Sequence, residues 1–293
     1  MGGGAVAMKL LVFGMGFTSK ALIEELRPFP PGSIRGTTRS PDKTAAIQTL
    51  GVDPRIFPGD DLAADIGWAS HVLISAGPED GRDPVLVDLR DAFAAADLEW
   101  VGYLSTTGVY GDHQGGWVDE TTPVAPSTAR GRARVAAEAE WQALLQDHGL
   151  PLHIFRLPGI YGPGRGPFAK VRAGTARRII KDGQVFGRVH VADIAQTLAA
   201  SMRAPRAGAI YNVADDDPAP PQDVITYAAE LLGVTLPPPV RFEDAEMTPM
   251  ARSFYAESKR VDNRLIKEEL GVRLRYPDYR SGLDALFAAE EGK

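Results

Sequence analysis

The 293-residue chain contains no cysteine. A disulfide framework, a thiolate nucleophile, an iron–sulfur cluster and cysteine-ligated zinc are therefore excluded, and a reducing compartment is permitted. Any redox chemistry must come from a bound cofactor. Long apolar runs are also missing: the longest near the start, Leu10 to Phe13, is too short for a membrane span or a signal-peptide core. The first lysine, Lys9, follows the small-residue stretch Gly2 to Ala7, the wrong charge order for secretion. Positive charge is in deficit, with 32 Lys plus Arg against 38 Asp plus Glu, so a general nucleic-acid binder, which needs a basic footprint, is disfavoured. The expectation is a cytoplasmic protein without a membrane partner, residues 1 to 7 forming a loose extension and Met8 an alternative start.

What is present is an ordinary globular composition, 44% hydrophobic and 24% charged, in a chain with room for two domains. Apolar β-type runs alternate with amphipathic segments, the mark of a parallel sheet covered by helices. Strands are expected at Lys9 to Gly14, Ser33 to Thr38, Arg55 to Phe57, His71 to Ser75, Trp100 to Ser105, Leu152 to Arg156 and Ala209 to Val213. Helices are expected at Ser19 to Leu26, Lys43 to Leu50 (opened by Ser40 as cap and Pro41), Val85 to Ala96, Thr128 to Gln146, Val191 to Met202, near Gln222 to Leu232, and Ser258 to Leu270. The fold class read from this order is α/β, a Rossmann-type doubly wound parallel sheet with a smaller C-terminal α/β substrate lobe. The expected boundaries are 1–164, completed by about 189–214, for the dinucleotide-binding domain, and 165–188 with 215–293 for the lobe.

The sequence Gly14-Met15-Gly16-Phe17-Thr18-Ser19 closes the first strand and opens a helix. In that context Gly14 permits a tight turn, Gly16 lets the backbone approach a pyrophosphate, and Phe17 and Thr18 place helix N-terminal amides on the anion. Ser19 replaces the third glycine of the usual fingerprint. Where an NAD site shows Asp or Glu on the ribose, the second strand ends Thr37-Thr38-Arg39. A guanidinium flanked by hydroxyls suits a 2′-phosphate, which favours NADP over NAD; a solvated loop cation is the plainer reading. Asp60 is placed to reach an adenine amino group, and Ser75 and Ala76, with Gly77, let the chain pass close to the ribose. Pro158, opening a Gly- and Pro-rich stretch, is assigned to the cofactor face as well.

The stretch Tyr103 to Asp112 (YLSTTGVYGD), Asp119-Glu120, Arg156 to Gly164 (RLPGIYGPG), His190 to Ile194 (HVADI) and the segment Ser258 to Tyr276, together with the glycine turn, resemble the extended short-chain dehydrogenase/reductase superfamily. This is also called the NAD-dependent epimerase/dehydratase family, and the chain is most similar to an atypical bacterial branch with a poorly kept active site. The resemblance implies that Thr106 polarises the substrate. It also implies a Tyr and a Lys at the positions occupied here by Arg130 and Arg134. Arginine stays protonated and has no acceptor, so neither residue can shuttle a proton. At i, i+4 the pair shares one helical face and can clamp a phosphate or carboxylate; alternatively Arg134 pairs with Glu138 in a structural charge ladder. Thr107-Gly108 stands where the resemblance puts the dehydratase Asp-Glu pair, and Gly159 where it puts a substrate-contacting Asn, which weakens both sugar-nucleotide readings.

Other polar candidates for the proton carrier are Tyr110, Tyr161, His190 and Asp193. No histidine has zinc-protease spacing and no calcium-loop pattern occurs, so no metal is expected. From Arg165 to Arg188 seven basic residues face one acidic residue, Asp182, a composition that would hold an anionic substrate or form a solvated face. The expectation is an NADP-dependent oxidoreductase or epimerase acting by hydride transfer on a small anionic metabolite, monomeric or homodimeric. The alternative is a non-catalytic NADP(H)-binding sensor or interaction protein.

Overall fold

In the computed structural model, which describes residues 8–79 and 81–291, the alternating apolar runs form strands β1 (Leu10–Phe13), β2 (Ile34–Thr38), β3 (Asp53–Ile56), β4 (His71–Ile74) and β5 (Trp100–Thr106). Helices α1 (Phe17–Glu25), α2 (Thr44–Gln48), α3 (Leu62–Trp68) and α4 (Pro84–Ala95) lie between them. Further along come β6 (Trp117–Val118), α5 (Ala129–His148), β7 (Leu152–Leu157), β8 (Gly159–Tyr161), α6 (Phe168–Arg172), β9 (Ile179–Ile180), β10 (Arg188–His190), α7 (Val191–Arg203) and β11 (Ile210–Asn212). The chain closes with α8 (Pro221–Leu231), β12 (Val240–Arg241), α9 (Pro249–Phe254), β13 (Arg260–Val261), α10 (Arg264–Leu270) and α11 (Tyr279–Glu291). The proposed extension at residues 1 to 7 lies outside the described residues.

Seven strands join in the order β11-β7-β5-β4-β1-β2-β3, and the pairs from β3 through β5 are parallel. The order reverses between β1 and β4, which puts a ligand crevice at the carboxyl end of β1. The chain divides into two compact units. The first runs through Ser105 and takes in Ala133–Phe155 and Ala195–Tyr211; the second takes Thr106–Arg132, Arg156–Ile194 and the chain from Asn212 on. Residues 106–132 and 156–164 thus fall in the second unit, and the two are of nearly equal length.

The first unit buries Leu11, Phe13, Val72, Ile74, Val101, Tyr103, Phe93 and Trp141 in one cluster. Buried indoles need a partner for their N–H: Trp141 donates to Asp83 Oδ2 at 3.1 Å and Trp100 to Ser201 Oγ at 3.0 Å. Asp83 also caps α4 by accepting from the amides of Val85 and Leu86. In the second unit Tyr161, Phe168, Val171, Ala228, Tyr279 and Leu283 form a separate cluster.

Two expectations change. The helix expected over Ser258 to Leu270 begins only at Arg264, because Arg260–Val261 pairs in parallel with Trp117–Val118, Arg260 N donating to the Gly116 carbonyl at 2.8 Å. The helix expected from Lys43 is a 3-10 turn at Pro41–Lys43 followed by the short α2. Ser40 stands at the cap position without a capping side-chain bond, and its amide donates to Thr38 Oγ1.

Candidate functional site

The glycine turn is built by three local bonds at the end of β1. Gly14 N donates to Thr37 Oγ1 at 2.9 Å, Met15 N to the Thr37 carbonyl at 3.0 Å, and Gly16 N to the Gly14 carbonyl at 2.8 Å. Gly14 has φ +93°, a conformation that disfavours any side chain, and a Cβ there would meet Ala76 N at 3.3 Å. Gly16 differs: its backbone is extended at φ −89°, and a Cβ would meet nothing within 4 Å. Nothing among the described residues requires a glycine there, so the room it leaves fits an external group approaching the backbone.

Behind Gly16, which as glycine has no side chain to cap the helix, α1 begins at Phe17. Thr18 and Ser19 are buried, and the Ser19 hydroxyl donates to the Gly14 carbonyl at 2.7 Å. The residue in the third-glycine position therefore braces the turn. A helix start entered through a glycine with open space beside it suits a diphosphate by both its donors and its dipole. The residues present fit a dinucleotide.

The neighbouring strand ends carry the other expected cofactor residues. Ser75 N and Ala76 N both donate to the Phe13 carbonyl, at 2.9 and 3.0 Å, which seats the β4 loop against β1. Thr38 is half-buried and bonds within its own turn to Ser40. Arg39 is exposed, and its Nη1 lies 2.7 Å from Glu79 Oε1. Asp60 accepts from Ile56 N at 2.7 Å and so closes the turn after β3. Pro158 lies in the second unit between β7 and β8, where a Cβ on Gly187 would approach it to 3.3 Å.

Arg134, one turn into α5, donates from Nη1 to the Tyr103 hydroxyl at 3.0 Å and to the Leu104 carbonyl at 2.8 Å. Its Nη2 covers Gly77, where a Cβ would approach it to 2.8 Å. Glu138, expected as an alternative partner, is buried and accepts from the Ser105 hydroxyl. Arg134 therefore places a fixed cation beside the β4 loop. Burial pushes the Tyr103 hydroxyl well above its usual range, the nearby Arg134 opposing the shift, so this phenol holds its proton.

In the second unit Thr106 ends β5 and accepts at Oγ1 from Gly108 N at 3.1 Å, which leaves the hydroxyl proton to donate outward. Thr128 Oγ1 accepts from Gly131 N at 3.0 Å at the start of α5. A Cβ on Gly131 would meet the Gly108 carbonyl at 2.8 Å, so glycine is there for close packing of the helix on this turn. Arg130 is exposed beside it, with no hydrogen bond or ion pair among the described residues.

Of the four further proton-carrier candidates, three are committed to internal contacts, while His190 is bonded at Nδ1 and its buried Nε2 has no hydrogen-bond partner among the described residues. Tyr110 is fully buried, donates to Asn212 Oδ1 at 2.8 Å and accepts from Arg156 at 3.0 Å. Tyr161 is buried against Gly282, and burial raises its hydroxyl strongly. Asp193 is 1% exposed and accepts from Arg275 N at 2.7 Å and Tyr276 N at 3.1 Å. His190 accepts at Nδ1 from Ala192 N at 3.2 Å and packs on the Tyr276 ring at 4.0 Å. Asp119 and Glu120 are spent likewise, the first on Thr121 and Thr122, the second on Asn212 N at 2.8 Å.

Burial, with help from Arg275, lowers the His190 pKa from 6.5 to about 4. Between those values the unfolded imidazole binds a proton that the folded one refuses, so its contribution to stability is whole above pH 6.5 and is lost as pH falls toward 4. The expected size is up to about 2 kcal/mol. Thermal melts between pH 7 and 4.5 should show a shallower loss for His190→Gln than for the unmodified chain; parallel curves would place the titration elsewhere. His153, also lowered to about 4 by burial, retains its own share in both proteins.

The cations of the basic stretch divide between internal partners and solvent. Arg172 pairs with Glu290, Arg178 donates to the Pro237 carbonyl, Lys181 to the Tyr255 carbonyl, and Arg188 to the carbonyls of Phe186 and Ala219. Arg165, Lys170 and Arg177 are exposed. Sequence reading missed Ser19's bond to Gly14, the Arg39–Glu79 pair and the Arg134 contacts with Tyr103. The first has a local signal, a hydroxyl five residues after the turn; the others join distant segments.

Among the described residues no helix is long and apolar enough to cross a membrane, and no three His, Asp or Glu side chains are grouped to hold a metal. The reversed strand order and the glycine turn at its switch point define a Rossmann-type protein of the extended short-chain dehydrogenase/reductase kind. Residues 85–214 match the model of the NAD dependent epimerase/dehydratase family. Protein YeeZ of Escherichia coli (strain K12) is 31% identical over 289 residues, covering 92% of this chain and 97% of YeeZ. A functionally unknown conserved protein from Silicibacter pomeroyi DSS has a solved structure that is 58% identical, with TM-score 0.91 over 96% of this chain and 99% of that one. UDP-glucuronic acid 4-epimerase from Bacillus cereus, solved with UDP-glucuronic acid and NAD, shares the fold at 19% identity, with TM-score 0.77 over 97% of this chain and 99% of that one. The chain belongs to the NAD dependent epimerase/dehydratase family, an NAD(P)-binding family.

Proposed function

We propose that the chain binds NADP(H) at the glycine turn and carries out hydride transfer on a small anionic metabolite. The observation that carries the cofactor half is the open space at Gly16 directly before the start of α1. Phe17 and Thr18 would hold the diphosphate, Ser75 and Ala76 the ribose, Asp60 the adenine side, and Thr38 with Arg39 the 2′-phosphate. When bound, the nicotinamide supplies or takes up a hydride.

The substrate half rests on Thr106, Arg130 and Arg134. Thr106 accepts from Gly108 N and would donate a hydrogen bond to the substrate oxygen. Arg130, exposed and unpaired among the described residues, takes the anionic group of the substrate. Arg134, held by Tyr103 and Leu104, supplies a fixed positive charge. The rival reading, an NADP(H) sensor or interaction protein without turnover, is favoured by one observation: Tyr110, Tyr161 and Asp193 are all spent on internal contacts.

Titration with NADPH and, separately, NADH, followed by energy transfer from tryptophan to nicotinamide, tests the cofactor assignment. Arg39→Ala should weaken NADPH by about tenfold or more and leave NADH nearly unchanged. Equal losses would remove the NADP assignment. A panel of small oxo-acids with deuteride-labelled NADPH then separates the two readings, since a sensor transfers no label.

A further inference from the structure

The Arg39–Glu79 pair joins two segments on opposite sides of the glycine turn. Arg39 follows β2 and Glu79 lies on the loop after β4, and the strand order puts β1 between them. The 2.7 Å contact between Arg39 Nη1 and Glu79 Oε1 therefore spans the carboxyl end of the strand that carries Gly14 and Gly16. The Glu79 backbone is held in a two-bond clasp, its amide donating to the Arg82 carbonyl at 2.9 Å and its carbonyl accepting from Arg82 N at 3.0 Å. The side chains themselves are 75% and 62% exposed. An ion pair so placed is held by position and not by burial, and water and salt make it cheap to open.

We propose that Glu79 is a specificity-determining residue for the cofactor: it occupies the Arg39 guanidinium until a 2′-phosphate displaces it, and so lowers the preference for NADP(H) over NAD(H). This rests on the reading that Arg39 meets the adenosine ribose. A phosphate bearing nearly two negative charges competes with a carboxylate for the guanidinium, and any carboxylate left nearby repels it. A bare ribose hydroxyl has no such competition and leaves the pair intact. Glu79 thus opposes one cofactor and is neutral to the other.

Dissociation constants for NADPH and NADH are measured by calorimetric titration of the unmodified chain, Glu79→Gln, Arg39→Ala and the double variant. Glu79→Gln should tighten NADPH roughly three- to fivefold, the range open to an exposed ion pair, with NADH changed by less than about twofold. Most of that gain should vanish when the same change is made on the Arg39→Ala background. NADPH unchanged in Glu79→Gln, or both cofactors shifted equally, while Arg39→Ala still loses NADPH selectively, would overturn the role of Glu79 and leave the cofactor assignment standing. No selective loss in Arg39→Ala, or no binding of either cofactor to the unmodified chain, would overturn both.

Discussion

Gly16→Asp is expected to abolish NADPH binding, by at least about a hundredfold, while leaving the melting temperature equal or slightly higher. The two effects have opposite signs because they act on the same vacancy. Gly16 is the N-cap of α1, extended at φ −89°, and has no side chain of its own with which to cap the helix. Aspartate is among the best residues for that position and accepts from the amides at N2 or N3, an improvement over glycine of a few tenths of a kcal/mol or somewhat more with the dipole. The same carboxylate takes the donors a diphosphate would use and adds a negative charge against it. Calorimetric titration with NADPH and a melt without nucleotide measure the two halves separately. A variant that binds within threefold of the unmodified chain would show that the diphosphate does not lie at this turn. Gly14→Ala provides the contrast, since φ +93° and the 3.3 Å approach to Ala76 N make it destabilising in the absence of any ligand.

The second large effect concerns stability. Asp193→Ala should cost about 2–4 kcal/mol, because it removes two charge-assisted bonds and leaves the amides of Arg275 and Tyr276 without their acceptor. A drop of roughly 5–10 °C in the melting midpoint is expected. Asp193→Asn keeps one acceptor oxygen and should fall between. A midpoint unchanged in Asp193→Ala would show that the segment around Tyr276 is anchored by other contacts. Asp193 lies in the HVADI stretch, one of the segments that made the family legible; its role in this chain is to anchor the C-terminal segment.

That contrast explains how much could be read from the sequence. The strands β1, β2, β4, β5 and β7 fall within about a residue of expectation, because fully buried parallel strands are short apolar runs bounded by polar turns. Gly14 and Gly16 were legible for the same reason: their meaning depends on the strand before and the helix after, both local. The pair Arg260–Val261 was not, since a two-residue ladder draws its stability from Trp117–Val118, more than a hundred positions away. Helix α3, only about two turns long, and helix α11, against which Tyr161 packs at Gly282, also escaped. Among site residues, Arg39 could be named but Glu79 could not, because their contact joins loops 40 residues apart. Arg130 and Arg134 could be placed on one helical face, yet only the structure gives Arg134 its partners in Tyr103 and Leu104.

The division of the chain also governs its synthesis. The first unit is threaded through three separate stretches, and its sheet is completed only by β7 and β11, the latter ending at Asn212. A ribosome adding roughly 5–20 residues per second needs on the order of 10–40 seconds to reach that point. Until then the nascent sheet, however well β1 to β5 have paired, presents first β5 and, once β7 is made, β7 as a bare edge with backbone groups able to recruit strands from neighbouring chains. Expression at a slowed translation rate should therefore depend on holding chaperones far more than the finished protein does.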